Sequence, residues 1–204
     1  PDGLVGSLYN DFEPRDEQVV MAKEVLKAFS TSTNLVVEAG TGVGKSMAYL
    51  LPSALGALRS GSRIGVATKT NALLDQIVYK ELPLLKSTLA DAGVGDLSYV
   101  ALKGFSHYPC MRKVSHIVSD GARTVNVTGK DVSQAPSIAA LLSYIEQTEY
   151  DDMDGLKLDY RVLPRYAITT TSRECLKRKC PFFGPQCFVH GLRKRAESAN
   201  VLVT

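Results

Sequence analysis

The chain has 204 residues, 45% hydrophobic and 22% charged, enough to bury the core of one large domain or two small ones. A formal net charge of +3 and a pI near 8.7 permit a nucleic-acid partner without requiring one. No apolar run reaches the length of a membrane span and no signal-peptide pattern opens the chain, so no membrane role is expected. A start at Pro1 without methionine reads as a piece of something longer.

In chain order, residues 1–14 read as a loosely structured lead-in. Arg15 to Phe29 then sets Val19, Val20, Ala22, Val25, Leu26 and Phe29 on one helical stripe, expected to be core. Leu35-Val36-Val37 reads as a strand, and Glu38-Ala39-Gly40-Thr41-Gly42-Val43-Gly44-Lys45-Ser46 follows it. This is a phosphate-binding loop, because a strand precedes it and a helix, Met47 to Leu58, follows. Glycines 40, 42 and 44 let backbone N–H groups curl around a β-phosphate, and the helix start adds positive potential. Lys45 suits the β/γ-phosphates and Ser46 a nucleotide-bound Mg²⁺. Ala39 stands where the common pattern has glycine, the mildest replacement. Pro52 bends or packs this helix within its first turns.

Gly61-Ser62-Arg63 reads as a turn into a buried strand, Ile64 to Thr68. A helix from about Ala72 to Leu89, interrupted near Pro83, leads to a third strand at Tyr99–Leu102. The βαβαβ alternation predicts an α/β fold, a parallel sheet with helices on both faces.

Beyond Lys103 strands are hard to find, and all four cysteines lie there. The expected division is 1–103 as the first part of a nucleotide domain, 104–191 as a mostly helical insertion, and 192–204 as the return. Glu197 to Thr204 resumes a helix-then-apolar-strand pattern. The acidic stretch Glu146 to Asp159 reads as a solvated linker or helix end rather than a metal site. Cys110, Cys175, Cys180 and Cys187 follow C-x64-C-x4-C-x6-C. In a P-loop protein of the reducing cytosol such thiols point to metal rather than disulfides. One remote and three clustered thiolates suit an iron–sulfur cube and a four-thiolate zinc site alike, so spacing leaves iron and zinc both open. Tyr108, Pro109, Pro181, Phe182, Phe183 and Phe188 would shield such a centre. His107, His116 and His190 read as surface or supporting groups. Arg112, Lys113, Lys177-Arg178-Lys179 and Arg193-Lys194-Arg195, interleaved with aromatics, read as a phosphate-tracking surface.

Taken together, these motifs resemble a known family. Phe12 to Gln18 is similar to the adenine-reading Q-type motif of superfamily two helicases, and Ala39 to Ser46 to their motif I, where the leading alanine is usual. Val66-Ala67-Thr68-Lys69-Thr70 with Gln76 resembles motif Ia, which touches the DNA backbone. Lys103-Gly104-Phe105-Ser106-His107-Tyr108-Pro109-Cys110 resembles the K-G-x-x-x-Y-x-C entry to an iron–sulfur domain, and Cys175 to Cys187 with His190-Gly191-Leu192-Arg193 its exit. From Phe12 to Thr204 the chain resembles the DinG/XPD iron–sulfur DNA helicases, the bacterial DinG branch in particular.

The resemblance implies a RecA-like motor domain interrupted by a 4Fe–4S insertion, held by Cys110, Cys175, Cys180 and Cys187. It implies ATP and Mg²⁺ held by Arg15, Gln18, Gly40, Thr41, Gly42, Val43, Gly44, Lys45 and Ser46, and single-stranded DNA touched by Thr68, Lys69, Thr70 and Gln76. It also implies 5′→3′ translocation and unwinding at duplex junctions in repair or replication, a cytoplasmic location at the bacterial nucleoid, and a nuclease domain fused upstream or acting as partner. The family's D-E-A-H box and second motor domain are absent from this sequence, so the piece alone is expected to turn over no ATP at a useful rate. The four thiolates are expected to replace a core that 104–191 cannot build from its own apolar content. Two other classes stay open: a zinc-bearing P-loop ATPase and a redox-switched nucleic-acid-binding module, neither of which unwinds DNA.

Overall fold

The computed structural model describes residues 15–40 and 44–204, together with Gly6. The chain divides into two compact units, Pro1–Ala101 with Ser198–Thr204, and Leu102–Glu197.

In the first unit, helix α1 (Asp16–Thr31) carries Asp16 and Glu17 in its first turn, where carboxylates favour the helix dipole. It ends at Ser32 in the left-handed region. Helix α2 (Lys45–Ser60) starts from left-handed Gly44, ends at left-handed Gly61 and contains buried Pro52. Strand β1 (Ile64–Val66) leads to helix α3 (Asn71–Gln76), whose first turn is capped by the Thr70 hydroxyl accepting from the Leu73 N–H at 3.3 Å. A π-helical turn, Ile77–Glu81, joins it to α4 (Leu82–Asp91). The interruption expected near Pro83 is therefore a widened turn just ahead of the proline, which has no N–H to return to the preceding turn. Strand β2 (Tyr99–Ala101) follows, and the sheet is completed from the far end of the chain.

That last strand, which we number β5 (Val201–Val203), lies between β1 and β2 and runs parallel to both. Val203 pairs in register with Val66 and Ala101. Val201 and Val203 pack with Met47, Leu50, Leu74, Ile77, Leu82, Leu85 and Leu89 in one core cluster. Each fully buried Leu or Ile contributes about 1.5–3 kcal/mol.

Three expectations need correction here. The α1 stripe is not core: no residue of that helix is buried, and Val20 and Phe29 are exposed. The helix packs on α2, whose own apolar side chains are committed to the sheet cluster, and none of the α1 stripe joins it. Leu35-Val36-Val37 is not a strand, since a strand is held by ladder bonds and this run pairs with none of the described strands. Val36 is 95% exposed. The parallel α/β sheet is present, but the helices of the core cluster cover one face; the row Gly65, Leu202 and Val100 takes no part in it.

The second unit holds helix α5 (Met111–Asp120), strands β3 (Thr124–Val127) and β4 (Lys130–Ser133), and helices α6 (Ala135–Gln147), α7 (Arg165–Ile168) and α8 (Phe188–Ala196). The antiparallel β3–β4 hairpin corrects the expectation of an almost strandless insertion. Its two-residue turn, Thr128-Gly129, has positive φ at both positions (50° and 82°), the geometry that matches strand twist. The unit also builds its own core from Val114, Ile138, Leu141, Met153, Leu163 and Ile168. No cysteine belongs to that cluster, so thiolates do not stand in for a missing core.

Candidate functional site

The candidate nucleotide loop is assembled from three local pieces. Arg15 sits before α1 in extended backbone, and its carbonyl accepts from the Gln18 and Val19 N–H groups. Gln18 then reaches the loop: its Nε2 donates to the Gly44 carbonyl at 3.1 Å. Gly44 has φ 77°, and a Cβ there would collide with the Gln18 amide, so only glycine suits both the turn and the approach. Lys45 Nζ donates to the Ala39 carbonyl at 2.9 Å and to that of Gly40, folding over the loop it is expected to share with a phosphate. Ser46 hydrogen-bonds the Tyr49 hydroxyl, whose pKa burial pushes up. The structure thus brings Gln18, Gly40, Gly44 and Lys45 together; Thr41, Gly42 and Val43 lie outside the described residues, as does Phe12 to Pro14 of the Q-type motif.

Thr68, Lys69 and Thr70 form the loop after β1, and both hydroxyls have structural work. Thr68 Oγ1 donates to the carbonyls of Thr204 (3.1 Å) and Thr70 (3.2 Å), while Thr70 caps α3. Gln76 stands on α3 with its amide donating to Glu81 at 2.7 Å. Lys69 is exposed.

In the second unit the four cysteines, all free and half-buried, line a single cavity. Phe105, Tyr108, Phe182 and Phe183 wall it, and among the described residues no carboxylate does. Cys110 starts α5 and its N–H donates to the Ile168 carbonyl at 2.7 Å. Cys187 starts α8. Burial pushes its thiol up, the N–H groups of His190 and Val189 pull it down, and nearby Cys175 and Cys110 push it up again. Cys175 Sγ and His190 Nε2 stand 3.8 Å apart, with the His190 ring against Phe183. Burial, with Arg193 adding to it, pushes the His190 pKa down. Gly191 lies so close to Tyr150 that a Cβ would collide with its ring.

The donor set suits a cluster: four soft thiols, apolar walls and helix-start N–H groups near sulfur. Among the described residues no three of His, Cys, Asp and Glu converge as ligands of one metal ion. A four-iron cube takes one thiolate per iron, so its thiolates surround a volume rather than a point.

The sequence reading missed what lies beside this cavity. Lys103, its side chain 2% exposed, places Nζ 3.0 Å from Asp152 Oδ2 and 3.0 Å from Asp154 Oδ2. Asp154 also meets His107 Nδ1 at 2.8 Å and the Arg165 guanidinium at 2.6 Å. Burial favours the neutral Asp154, but hydrogen bonds from Arg165, Lys103 and His107 outweigh it and hold the carboxyl far below the usual range. The acidic stretch is therefore not simply a solvated linker; the D-x-D spacing of Asp152 and Asp154 was its sequence signal. Several expected phosphate-tracking cations are also engaged: Lys113 with the Tyr166 carbonyl, Arg193 over the Phe105 ring, Lys194 with Glu197. Lys177, Arg178 and Lys179 are exposed. No described helix is long and apolar enough to cross a membrane.

No protein-family model matches the chain. Among curated proteins it is 35% identical over 204 residues to the ATP-dependent helicase DinG of Mycobacterium tuberculosis, an alignment covering 93% of this chain and 30% of that protein. It is 32% identical over 207 residues to the ATP-dependent DNA helicase YoaA of Escherichia coli, covering all of this chain and 30% of that protein. A third relative, the 3'-5' exonuclease DinG of Bacillus subtilis, is 33% identical over 154 residues, covering 76% of this chain and 15% of that protein. The chain thus spans 30% of the length of the first two, and over that span it is similar to the DinG and YoaA helicases.

Proposed function

We propose that this chain is part of an ATP-dependent DNA helicase that translocates 5′→3′ on single-stranded DNA and opens duplexes during repair or replication. The observation that carries the reading is the pairing of a P-loop clasped by Gln18 with four free cysteines around a single cavity. Two relatives are named ATP-dependent helicases, which supports it. In this reading residues 1–103 and 192–204 are motor, and 104–191 a cluster-bearing insertion.

Gln18 takes the adenine edge, with Arg15 beside it. The loop from Gly40 through Thr41, Gly42, Val43 and Gly44 would hold the phosphates, with Lys45 supplying charge to their oxygens, and Ser46 would ligate a nucleotide-bound Mg²⁺. Lys69 supplies charge to a DNA phosphate, while Thr68 and Thr70 hold its loop. Gln76 reaches DNA on leaving Glu81. Cys110, Cys175, Cys180 and Cys187 hold a 4Fe–4S cluster, which cross-links Cys110 to the Cys175–Cys187 loops when bound. The reading places the protein in the cytoplasm at the nucleoid, and the exonuclease name of the Bacillus relative supports a nuclease as fused domain or partner.

The test is strand polarity in the full-length protein. Duplexes with a 5′ single-stranded tail should open with ATP and those with a 3′ tail should not, and Lys45→Ala should abolish opening. Equal opening of both tails, or none by the wild type, overturns the reading.

A further inference from the structure

Of the four proposed ligands, Cys110 is the remote one, 65 positions before Cys175. Nothing in the local sequence brings it to the others, so its place must be fixed by contacts. Two sets of contacts do this. The Cys110 N–H donates to the Ile168 carbonyl at the end of α7. Upstream, the segment Lys103–Tyr108 is tied to Asp154 through Lys103 Nζ and His107 Nδ1, and Asp154 is tied to α7 through Arg165. Arg165 Nε closes the loop by donating to the Ser106 carbonyl at 3.0 Å. The Tyr108 hydroxyl accepts from the Lys103 N–H at 2.9 Å. Asp154 itself is rigidly placed. It lies on a 3₁₀ turn, Met153–Gly155, that Asp152 caps through the Asp154 N–H at 3.0 Å, and Met153 is fully buried in the unit's core.

We propose that Asp154 is a positioning residue for Cys110: with Arg165 it holds the segment that carries this one thiol against α7, setting one corner of the cysteine cavity independently of the other three. The inference rests on the cluster reading above. Partly buried charge pairs suit the task because they are directional and lose much when one partner goes. Neither Asp154 nor Arg165 lines the cavity, so both act only through the segment they hold.

The test is residue-resolved protection of thiols in the 204-residue chain, purified without oxygen, with iron and sulfide counted alongside. Iodoacetamide alkylates a free thiol, the sulfur displacing iodide and the thiol proton going to buffer, and peptide masses show which of the four cysteines reacted. Asp154→Asn and Arg165→Gln should each lose protection at Cys110 while Cys175, Cys180 and Cys187 remain protected as in the wild type. Arg161→Gln removes an exposed ion pair with Asp159 in the same region and should change nothing. If Asp154→Asn does not fold, Arg165→Gln decides, since it leaves Lys103 paired with both aspartates. Protection unchanged in both variants, or lost equally at all four cysteines, overturns the proposal. A wild type with iron and sulfide that gives either of those results sinks this inference alone. A wild type lacking iron sinks the cluster reading and this inference with it.

Discussion

The two units of the chain solve the same problem in opposite ways. Pro1–Ala101 with Ser198–Thr204 buries a broad apolar cluster on one face of its sheet yet leaves Val20, Phe29 and Val36 in solvent. Leu102–Glu197 has a smaller apolar cluster and adds a nearly inaccessible lysine held between two aspartates. In the first unit the candidate residues Gly44, Lys45 and Ser46 are neighbours brought together by the backbone of one turn, and Gln18 joins them from 26 positions away. In the second, Cys110 is remote from the other three cysteines, and charge pairing and helix starts must bring it to them. A motif made by one loop survives loss of its surroundings; a site made by long-range pairing does not.

The sharpest way to break this contrast is to strip the buried lysine of its partners. Asp152→Asn with Asp154→Asn removes both carboxylates from the buried Lys103 ammonium and should cost about 3–5 kcal/mol in denaturant unfolding. A cost near zero would mean the knot is decoration. Next in size, Leu141→Ala in the second unit and Leu82→Ala in the first should each cost about 2–5 kcal/mol, because both side chains are essentially inaccessible. The two effects should stay separate: Leu141→Ala should leave the ATP binding proposed for the loop at Gly40–Ser46 unchanged.

Acid should act mainly on the second unit. Asp154 has its pKa lowered by Arg165, Lys103 and His107 against the opposing effect of burial, so its stabilisation is complete above the ordinary value of 3.8. It is lost as pH falls below that value toward the depressed folded one. Asp154→Asn should flatten this acid limb, measured by circular dichroism between neutral pH and strong acid. Smallest of all, Val36→Thr should shift stability by no more than about 0.5 kcal/mol, because the side chain is already in water. A loss comparable to that of Leu82→Ala would show that this run is packed after all.

What the sequence made legible follows the same division. The helix that starts at Lys45, the two strands at Ile64 and Tyr99 and the returning strand at Val201 were all readable, because each is a local pattern of period or glycine placement. The stripe on α1 and the run Leu35–Val37 were readable as apolar but not as exposed, since periodicity reports what a segment could bury and not what it meets. The β3–β4 hairpin had a signal, Val125, Val127 and Val132 alternating with polar residues around Thr128-Gly129, that composition over a longer window obscured. The Lys103–Asp154 pairing spans 51 positions and has no local trace beyond the D-x-D spacing.

The central claim is that the four cysteines hold iron and sulfide, and elemental analysis of the anaerobically purified chain with a visible absorption spectrum tests it most directly. The account predicts about four irons with matching sulfide and a brown chromophore, both lost in Cys175→Ser while the far-ultraviolet helix signal persists, since the core cluster of that unit contains no cysteine. One zinc in a colourless sample, or a Cys175→Ser variant that keeps its colour, would contradict it.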